Sequence, residues 1–373
     1  MSANTARVHK ATPEEASSLV VEDITRAASR LAGFDGHEKV LLGRDDRRGL
    51  TAIIAIHDTT LGPALGGTRI WMHDGFDAAV TDALRLSRGM TLKAAIAGLP
   101  LGGGKAVIRA DAKHDKTPEL FDAYAEMLAQ VHDSYITAED VGMTLADADY
   151  LRARTPNVAG TTIGGSGNPS AFTAEGVFLG IRAALKHKTG SDALAGRSVA
   201  IQGLGAVGRA LADRLAGAGA RLIVADIDRQ RTADAATGLG AAVAAPDEIL
   251  TAAVDVLAPC ALGGVINQRN IGLLKAGIVA GSSNNQLLHH DDAIALKERG
   301  ILYAPDYVIN AGGLVNVAAE VDADGYDKAK VEARIAEIPA TLSTIFAEAE
   351  RSGKATNQVA FEMAEARIAA GRR

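Results

Sequence analysis

Residues 197–228, RSVAIQGLGAVGRALADRLAGAGARLIVADID, constrain the fold of this 373-residue chain more than any other stretch. A β-branched run ends at Gln202, and the spacing Gly203-Leu204-Gly205-Ala206-Val207-Gly208 then opens directly into an Ala/Leu-rich helical pattern. A second strand pattern follows and closes on Asp226, 23 residues after Gly203. A lone GxGxxG often marks only a tight turn. Between two strands and a helix, with an acid at this offset, it is the fingerprint of a dinucleotide site. The glycines permit the turn and the approach of a pyrophosphate, the helix N-terminus offers N–H groups to its charge, and the carboxylate takes the ribose hydroxyls. Asp226, reinforced by Asp228, should repel a 2′-phosphate, so NAD is expected over NADP. Arg221 and Arg229 lie close enough in sequence to weaken that selection.

Further strand–helix units, DVLAPCAL, GIVAGSSNNQ and ILYAPDYVINAGG, extend the pattern. The expected fold class is α/β, with a doubly wound parallel sheet that binds ligands at the carboxyl ends of its strands. Asn284, Asn285 and Asn310 sit at such ends. Upstream, the Gly/Ser/Thr/Asn-rich stretch from Asn157 to Ser170 reads as a domain connection and a hinge. The part before it is also strand and helix. It reads as a helix over 20–35, two strands within 38–58 joined by a turn at Asp45–Gly49, and a helix from Phe76 to Ala97. A strand after a GGGK turn comes next, then a helix with Thr117 as N-cap and Pro118 at its first position, then a strand in SYITAEDVGM. The chain ends in a long helix over 328–353 and a final one over 355–373.

The stretch GMTLKAAIAGLPLGGGK, residues 89–105, carries two lysines of chemical interest. Lys93 lies in a helix-like segment, and Lys105 follows three glycines among Leu99, Pro100, Leu101, Ala106, Val107 and Ile108. Most lysines are solvated surface charges. An ammonium in apolar surroundings is instead expected to lose solvation and drop its pKa, which makes a base near neutral pH. A phosphate-binding P-loop is excluded, because the required glycine and hydroxyl positions hold Leu99 and Ala106.

Net charge is −6, so no global basic field favours nucleic acid or an anionic membrane. No apolar run approaches the roughly 18 residues of a spanning helix, and the first residues lack a signal pattern. One cysteine, Cys260, fits a reducing cytoplasm, and is read as a packed small residue rather than a nucleophile. His289-His290-Asp291-Asp292 reads as the cap of a surface helix, because adjacent histidines diverge; no metal is expected.

The blocks GPALGGTR, GMTLKAAIAGLPLGGGK, TAEDVG, GSGNPS, GLGAVG, APCALGG, SSNNQ and YAPDYVINAGG occur here in that order. Together they closely resemble the amino acid dehydrogenases that act on leucine, valine and phenylalanine, the smaller relatives of glutamate dehydrogenase. The resemblance runs from about residue 38 to the end of the chain. It implies reversible, NAD-dependent oxidative deamination of an L-amino acid to a 2-oxo acid and ammonia, with the active site in a cleft between two domains. It further implies a homo-oligomer formed through a substrate-binding first domain, residues 1–160, of which 1–30 are an extension. A nucleotide-binding domain over 161–349 follows, and residues 350–373 pack back on the first domain. Lys93 would hold the substrate carboxylate, assisted by backbone at Gly66 and Gly67. Lys105 would be the general base, and Asp140 the second proton-handling group. Met90 and Asn285 would contact substrate, and Thr173 and Asn284 the cofactor.

By the same resemblance, Leu65, Ala138, Leu314 and Val317 line the side-chain pocket. All four are apolar, which excludes a pocket built to pair a second carboxylate. Ala138 matches the branched-chain enzymes, whereas Leu314 stands where the leucine-acting pattern has valine. Branched-chain aliphatic substrates are therefore expected, with phenylalanine second. A 2-hydroxy acid dehydrogenase would need a His or Arg constellation that these blocks lack. A non-catalytic NAD-binding regulator would have no reason to keep Lys93, Lys105 and Asp140 together.

Overall fold

The computed structural model describes residues 18–162, 165–322 and 324–372. Residues 1–17 of the expected extension, and Ile163 and Gly164 of the expected hinge, lie outside them. The first part runs β1 (Val20–Asp23), α1 (Thr25–Ala28), β2 (Lys39–Asp45), β3 (Leu50–Asp58), β4 (Ala64–Leu65), β5 (Thr68–Ile70), α2 (Phe76–Ile96), β6 (Gly102–Ile108), α3 (Pro118–Ala129), β7 (Tyr135–Ile136) and α4 (Leu145–Arg152). Its sheet has the order β1-β2-β3-β6-β4-β7, with β5 also on β6. The strands through β6 pair antiparallel, while β4, β5 and β7 add in parallel. The turn at Asp45–Gly49 forms because Asp45 Oδ1 accepts from the N–H groups of Arg47 and Arg48, and Gly49 adopts φ +73. Thr117 Oγ1 caps α3 by accepting from Leu120 N at 3.2 Å.

The second part contains α5 (Ser170–Thr189), β8 (Ser198–Gln202), α6 (Ala206–Gly217), β9 (Arg221–Ala225), α7 (Arg229–Leu239), β10 (Ala242–Val243), β11 (Val256–Pro259), β12 (Ile278–Val279), α8 (Asp292–Glu298), β13 (Leu302–Tyr303), α9 (Asp306–Ile309), α10 (Gly312–Ala318), α11 (Lys328–Ile335), α12 (Ile338–Ser352) and α13 (Thr356–Gly371). All pairs in its sheet are parallel, and the order β10-β9-β8-β11-β12-β13 reverses direction between β8 and β11. This is the doubly wound topology that the motif implied, and its ligand crevice lies at that reversal. Among the described residues, no helix is long and apolar enough to cross a membrane.

Three sequence expectations need correction. The segment expected as a helix over 20–35 begins as a strand, because Val20–Asp23 pairs with Leu41–Arg44 and leaves only a four-residue helix behind it. The GGGK segment is not a turn: Gly102–Ile108 is one fully buried strand. Its glycines serve close packing, since a Cβ on Gly103 would overlap Thr91 of α2, and one on Gly104 would press into the Tyr135 ring. The long helix expected over 328–353 is two helices. It breaks at Ala336–Glu337, where Pro339 begins a new helix more readily than it continues an old one.

α13 returns to pack along α2, and Arg372 pairs with Asp58 at 2.9 Å. A single apolar cluster joins both parts: Leu65, Leu101 and Ala138 pack in it with Leu314, Val315 and Val317.

Candidate active site

The first cluster is built on β6, α2 and the segment after β7. Lys105 sits mid-strand in β6 and is only 6% exposed. Its Nζ donates to Asp140 Oδ2 in a close ion pair. Arg69, in β5, is a second cation near the same oxygen, with its Nε 3.6 Å from Asp140 Oδ2. Burial pushes the Asp140 carboxyl upward, but Lys105 and Arg69 outweigh it and hold the group below the usual carboxylate range.

Lys93 lies in the last turn of α2, one turn after Met90, and α2 packs directly on β6. Lys93 and Lys105 therefore reach the same region although twelve residues of chain separate them. Burial pushes the Lys93 ammonium down to about 8; Lys105 adds to the fall, and Asp306 and Asp140 oppose it. The Lys93 Nζ makes no hydrogen bond to any described residue, which leaves its amine hydrogens for a ligand.

Gly66 and Gly67 link β4 to β5. A Cβ at Gly66 would overlap the carbonyl of Gly104, and one at Gly67 would press on Glu139 and Asp140. Both glycines thus let the Asp140 segment and β6 approach. Gly66 donates its N–H to Ile136 O at 3.1 Å, and its carbonyl accepts from Tyr135 Oη at 2.5 Å. Its N–H is therefore spent within the sheet. Beneath this layer, Thr68 Oγ1 shares hydrogen bonds with Tyr124 Oη (2.6 Å) and Thr137 Oγ1 (2.5 Å), and so ties β5 to the start of the Asp140 segment. Leu65, Ala138, Leu314 and Val317 are buried in the cluster shared by the two parts, with Met90 packed on it.

The second cluster lies at the sheet reversal. Gly203 adopts φ +95 and leads from β8 into the loop before α6. Gly208 packs against the Gly203 carbonyl, where any Cβ would overlap it. Gly205 caps α6 without a side-chain bond, and a Cβ there would meet only open space. The N–H groups of Ala206 and Val207 in the first turn of α6 therefore have room for an anionic group. The Asp226 side chain is 7% exposed; its Oδ2 accepts from Leu204 N at 2.6 Å and its Oδ1 from Asp228 N at 2.8 Å. The cation that reaches these acids is neither Arg221 nor Arg229. It is Arg231, 3.3 Å from Asp228 and 3.8 Å from Asp226.

Between the clusters, Asn310 Nδ2 donates to Asn284 Oδ1 at 2.8 Å and to Ser282 O at 3.0 Å. The Asn310 Oδ1 and Ser283 Oγ atoms are buried without a partner, as expected where a polar ligand completes the site. Asn285 is exposed with φ +52, and among the described residues no other non-glycine has a positive φ. Thr173, in the first turn of α5, donates to Pro169 O at 3.1 Å and abuts Gly313 of α10. Cys260 is half-buried, and burial pushes its thiol up, away from nucleophilic use. The His289–Asp292 stretch opens α8, with Asp292 Oδ2 accepting from His289 N at 2.8 Å.

Two charged residues at this site have no sequence signal of their own. Arg69 looks like an ordinary alternating position of β5. Asp306, in the first turn of α9, is 8% exposed and faces Lys93 from the second domain.

Comparison with known proteins places these clusters in context. Residues 37–157 match the model described as Glu/Leu/Phe/Val dehydrogenase, dimerisation domain. Residues 164–231 and 224–373 match that of Glutamate/Leucine/Phenylalanine/Valine dehydrogenase. The chain is 48% identical over 334 residues to a leucine dehydrogenase of Geobacillus stearothermophilus, covering 89% of this chain and 90% of that protein. It is 41% identical to a phenylalanine dehydrogenase of Lysinibacillus sphaericus, covering 90% and 88%. The crystal structure of L-tryptophan dehydrogenase from Nostoc punctiforme superposes with a TM-score of 0.79 at 44% identity, covering 91% of this chain and 97% of that one.

Proposed function

Since this chain belongs to the Glu/Leu/Phe/Val dehydrogenase family, we propose that it catalyses the reversible, NAD-dependent oxidative deamination of branched-chain L-amino acids. The products are the 2-oxo acid, ammonia and reduced cofactor. One observation carries this reading: a buried amine, Lys105, paired with Asp140 and close to a second cation, Lys93, whose Nζ has no hydrogen-bond partner among the described residues.

Lys93 binds the substrate carboxylate and so fixes the α-carbon. Lys105 takes a proton at Nζ from the substrate ammonium and later from the attacking water. Asp140 exchanges that proton with Lys105 and returns one to the departing amine, which makes the two residues a single acid–base unit. Leu65, Ala138, Leu314 and Val317 enclose an aliphatic side chain and exclude water. The lack of any polar atom among these four side chains argues against glutamate, since a buried second carboxylate would have no partner. Leucine, valine and isoleucine fit best, with overlap expected because one methylene discriminates by only about 1–3 kcal/mol.

The open face at Gly205 and the unpartnered atoms of Asn310 and Ser283 suit a dinucleotide. Gly203–Gly208 would hold its pyrophosphate, Asp226 a ribose, and Asn284 and Thr173 the nicotinamide end. When bound, nicotinamide supplies the acceptor for the α-hydride. NAD is favoured over NADP by Asp226 and Asp228, and Arg231 limits how strict that choice is. Asp226→Ala should weaken NAD binding by about 10- to 100-fold, the loss of one or two bonds to a charged group, and narrow the preference over NADP. Titration with both cofactors checks this; an unchanged ratio of dissociation constants removes Asp226 from the ribose site. The match of residues 37–157 to a dimerisation domain supports a homo-oligomer.

The test of the function is NADH formation at alkaline pH with leucine, valine, phenylalanine and glutamate in parallel. Leucine and valine should turn over fastest and glutamate not at all. No turnover of any of them would remove the reading, and a faster rate with phenylalanine would overturn the pocket assignment.

A further inference from the structure

Asp306 is a buried acid that the mechanism above leaves unused. Its Oδ2 accepts from Gln286 N at 3.0 Å and its Oδ1 from Tyr307 N at 2.8 Å. Those two bonds fix the carboxylate and hold the Asn284–Gln286 loop, in which Asn285 keeps its left-handed backbone. α9 packs against α2, so Asp306 is carried by the second domain and Lys93 by the first. The two groups face each other without a direct ion pair, since the Lys93 Nζ bonds to no described residue.

That separation has a chemical consequence. A carboxylate in direct contact with Lys93 would occupy the hydrogens that a substrate needs. One held back by backbone N–H groups opposes the desolvation of the ammonium and leaves its hydrogens free. We propose that Asp306 is a positioning residue that keeps Lys93 protonated for substrate carboxylate and couples this charge to the docking of the Asn284–Gln286 loop. The inference rests on the reading that Lys93 binds that carboxylate.

The other groups around the pair are accounted for. Lys105 from β6 and Asp140 from the segment after β7 face Lys93, and Tyr303 and Tyr307 face Asp306. Of the other elements on α2, β3 brings His57 against Thr91, and α13 brings Arg367 against Gly98. Burial has already pushed the Lys93 ammonium down to about 8, so carboxylate binding should weaken as pH rises through that value. Without the Asp306 charge, the loss begins at lower pH.

The probe is 4-methylpentanoate, which carries the carboxylate and a branched chain but no amine. Its inhibition constant, measured from pH 6 to 10 on the cofactor-loaded enzyme, should rise above about pH 8 in the native protein. In Asp306→Asn the rise should begin about one pH unit lower, and Asp306→Glu should restore the native profile while saturated turnover changes less. A purely structural role would weaken inhibition equally at every pH. That outcome, or an Asp306→Asn profile superimposed on the native one, overturns the inference. Lys93→Gln separates the two readings. If it leaves inhibition unchanged, the carboxylate site is elsewhere and both readings fall. If it abolishes inhibition while Asp306→Asn follows the native profile, only the role of Asp306 fails.

Discussion

Lys105→Ala should turn over leucine about 10³–10⁴-fold more slowly than the native protein, the upper part of the range set by loss of a positioned general base. The magnitude follows from position. Lys105 is enclosed in a strand whose glycines pack against α2 and Tyr135, so the remaining void is too confined for solvent to act as an equivalent base. Lys93 is the other amine nearby, and in this account its hydrogens are engaged by the substrate carboxylate. The cofactor site lies on the far sheet and should be intact, so NADH binding, followed by fluorescence, should stay within about twofold of native, well under one hydrogen bond. Weakened NADH binding in parallel with lost turnover would instead indicate a general collapse of the cleft.

Removing Asp140 should damage both stability and rate. Asp140→Ala leaves the Lys105 ammonium buried without its close partner, a type of change that costs about 3–5 kcal/mol for a fully buried pair. Asp140 is 22% exposed on its side chain, so the lower end, roughly 2–3 kcal/mol, is expected. Asp140→Asn keeps the shape and a hydrogen-bond acceptor, and should recover most of that stability. It cannot exchange the proton, and its turnover should stay about 10²–10³-fold down. Thermal unfolding and turnover of both variants check the pair of statements. The native Asp140 titrates below the usual carboxylate range, so its pairing contributes stability at neutral pH that is lost as pH falls through its folded pKa. Asp140→Asn should remove that part of the acid sensitivity. An Asp140→Asn variant with native turnover would reduce Asp140 to a structural counter-ion.

What could be read from sequence was whatever the chain encodes locally. The glycine loop, its flanking strands and Asp226 form one contiguous unit, and the structure returns it as β8, α6 and β9. Thr117 and Pro118 start α3 as their chemistry requires. Errors arose where a distant partner decides the conformation. Val20–Asp23 is a strand because β2 offers an edge, and nothing within the segment says so. Gly102–Gly104 read as a bend, yet their purpose is to admit α2 and Tyr135 against a straight strand.

The site divides in the same way. Lys93, Lys105 and Asp140 were legible through the blocks around them and through the oddity of a charge in an apolar run. Arg69 and Asp306 lie within those blocks but carry no signal there, because their significance depends on which charge faces them across the fold. Arg231, rather than Arg221 or Arg229, reaches the acids, and sequence distance does not reveal which side of a helix's first turn points at an acid.

The central claim is that Lys105 acts in the chemical step rather than in substrate capture or product release. A stopped-flow single turnover tests it most directly, with native and Lys105→Ala protein saturated with NAD, mixed with leucine and followed by NADH absorbance. The variant should form NADH in one slow phase, with a rate constant reduced by about the same 10³–10⁴-fold as steady-state turnover. NADH formation at the native rate in that first turnover would contradict it.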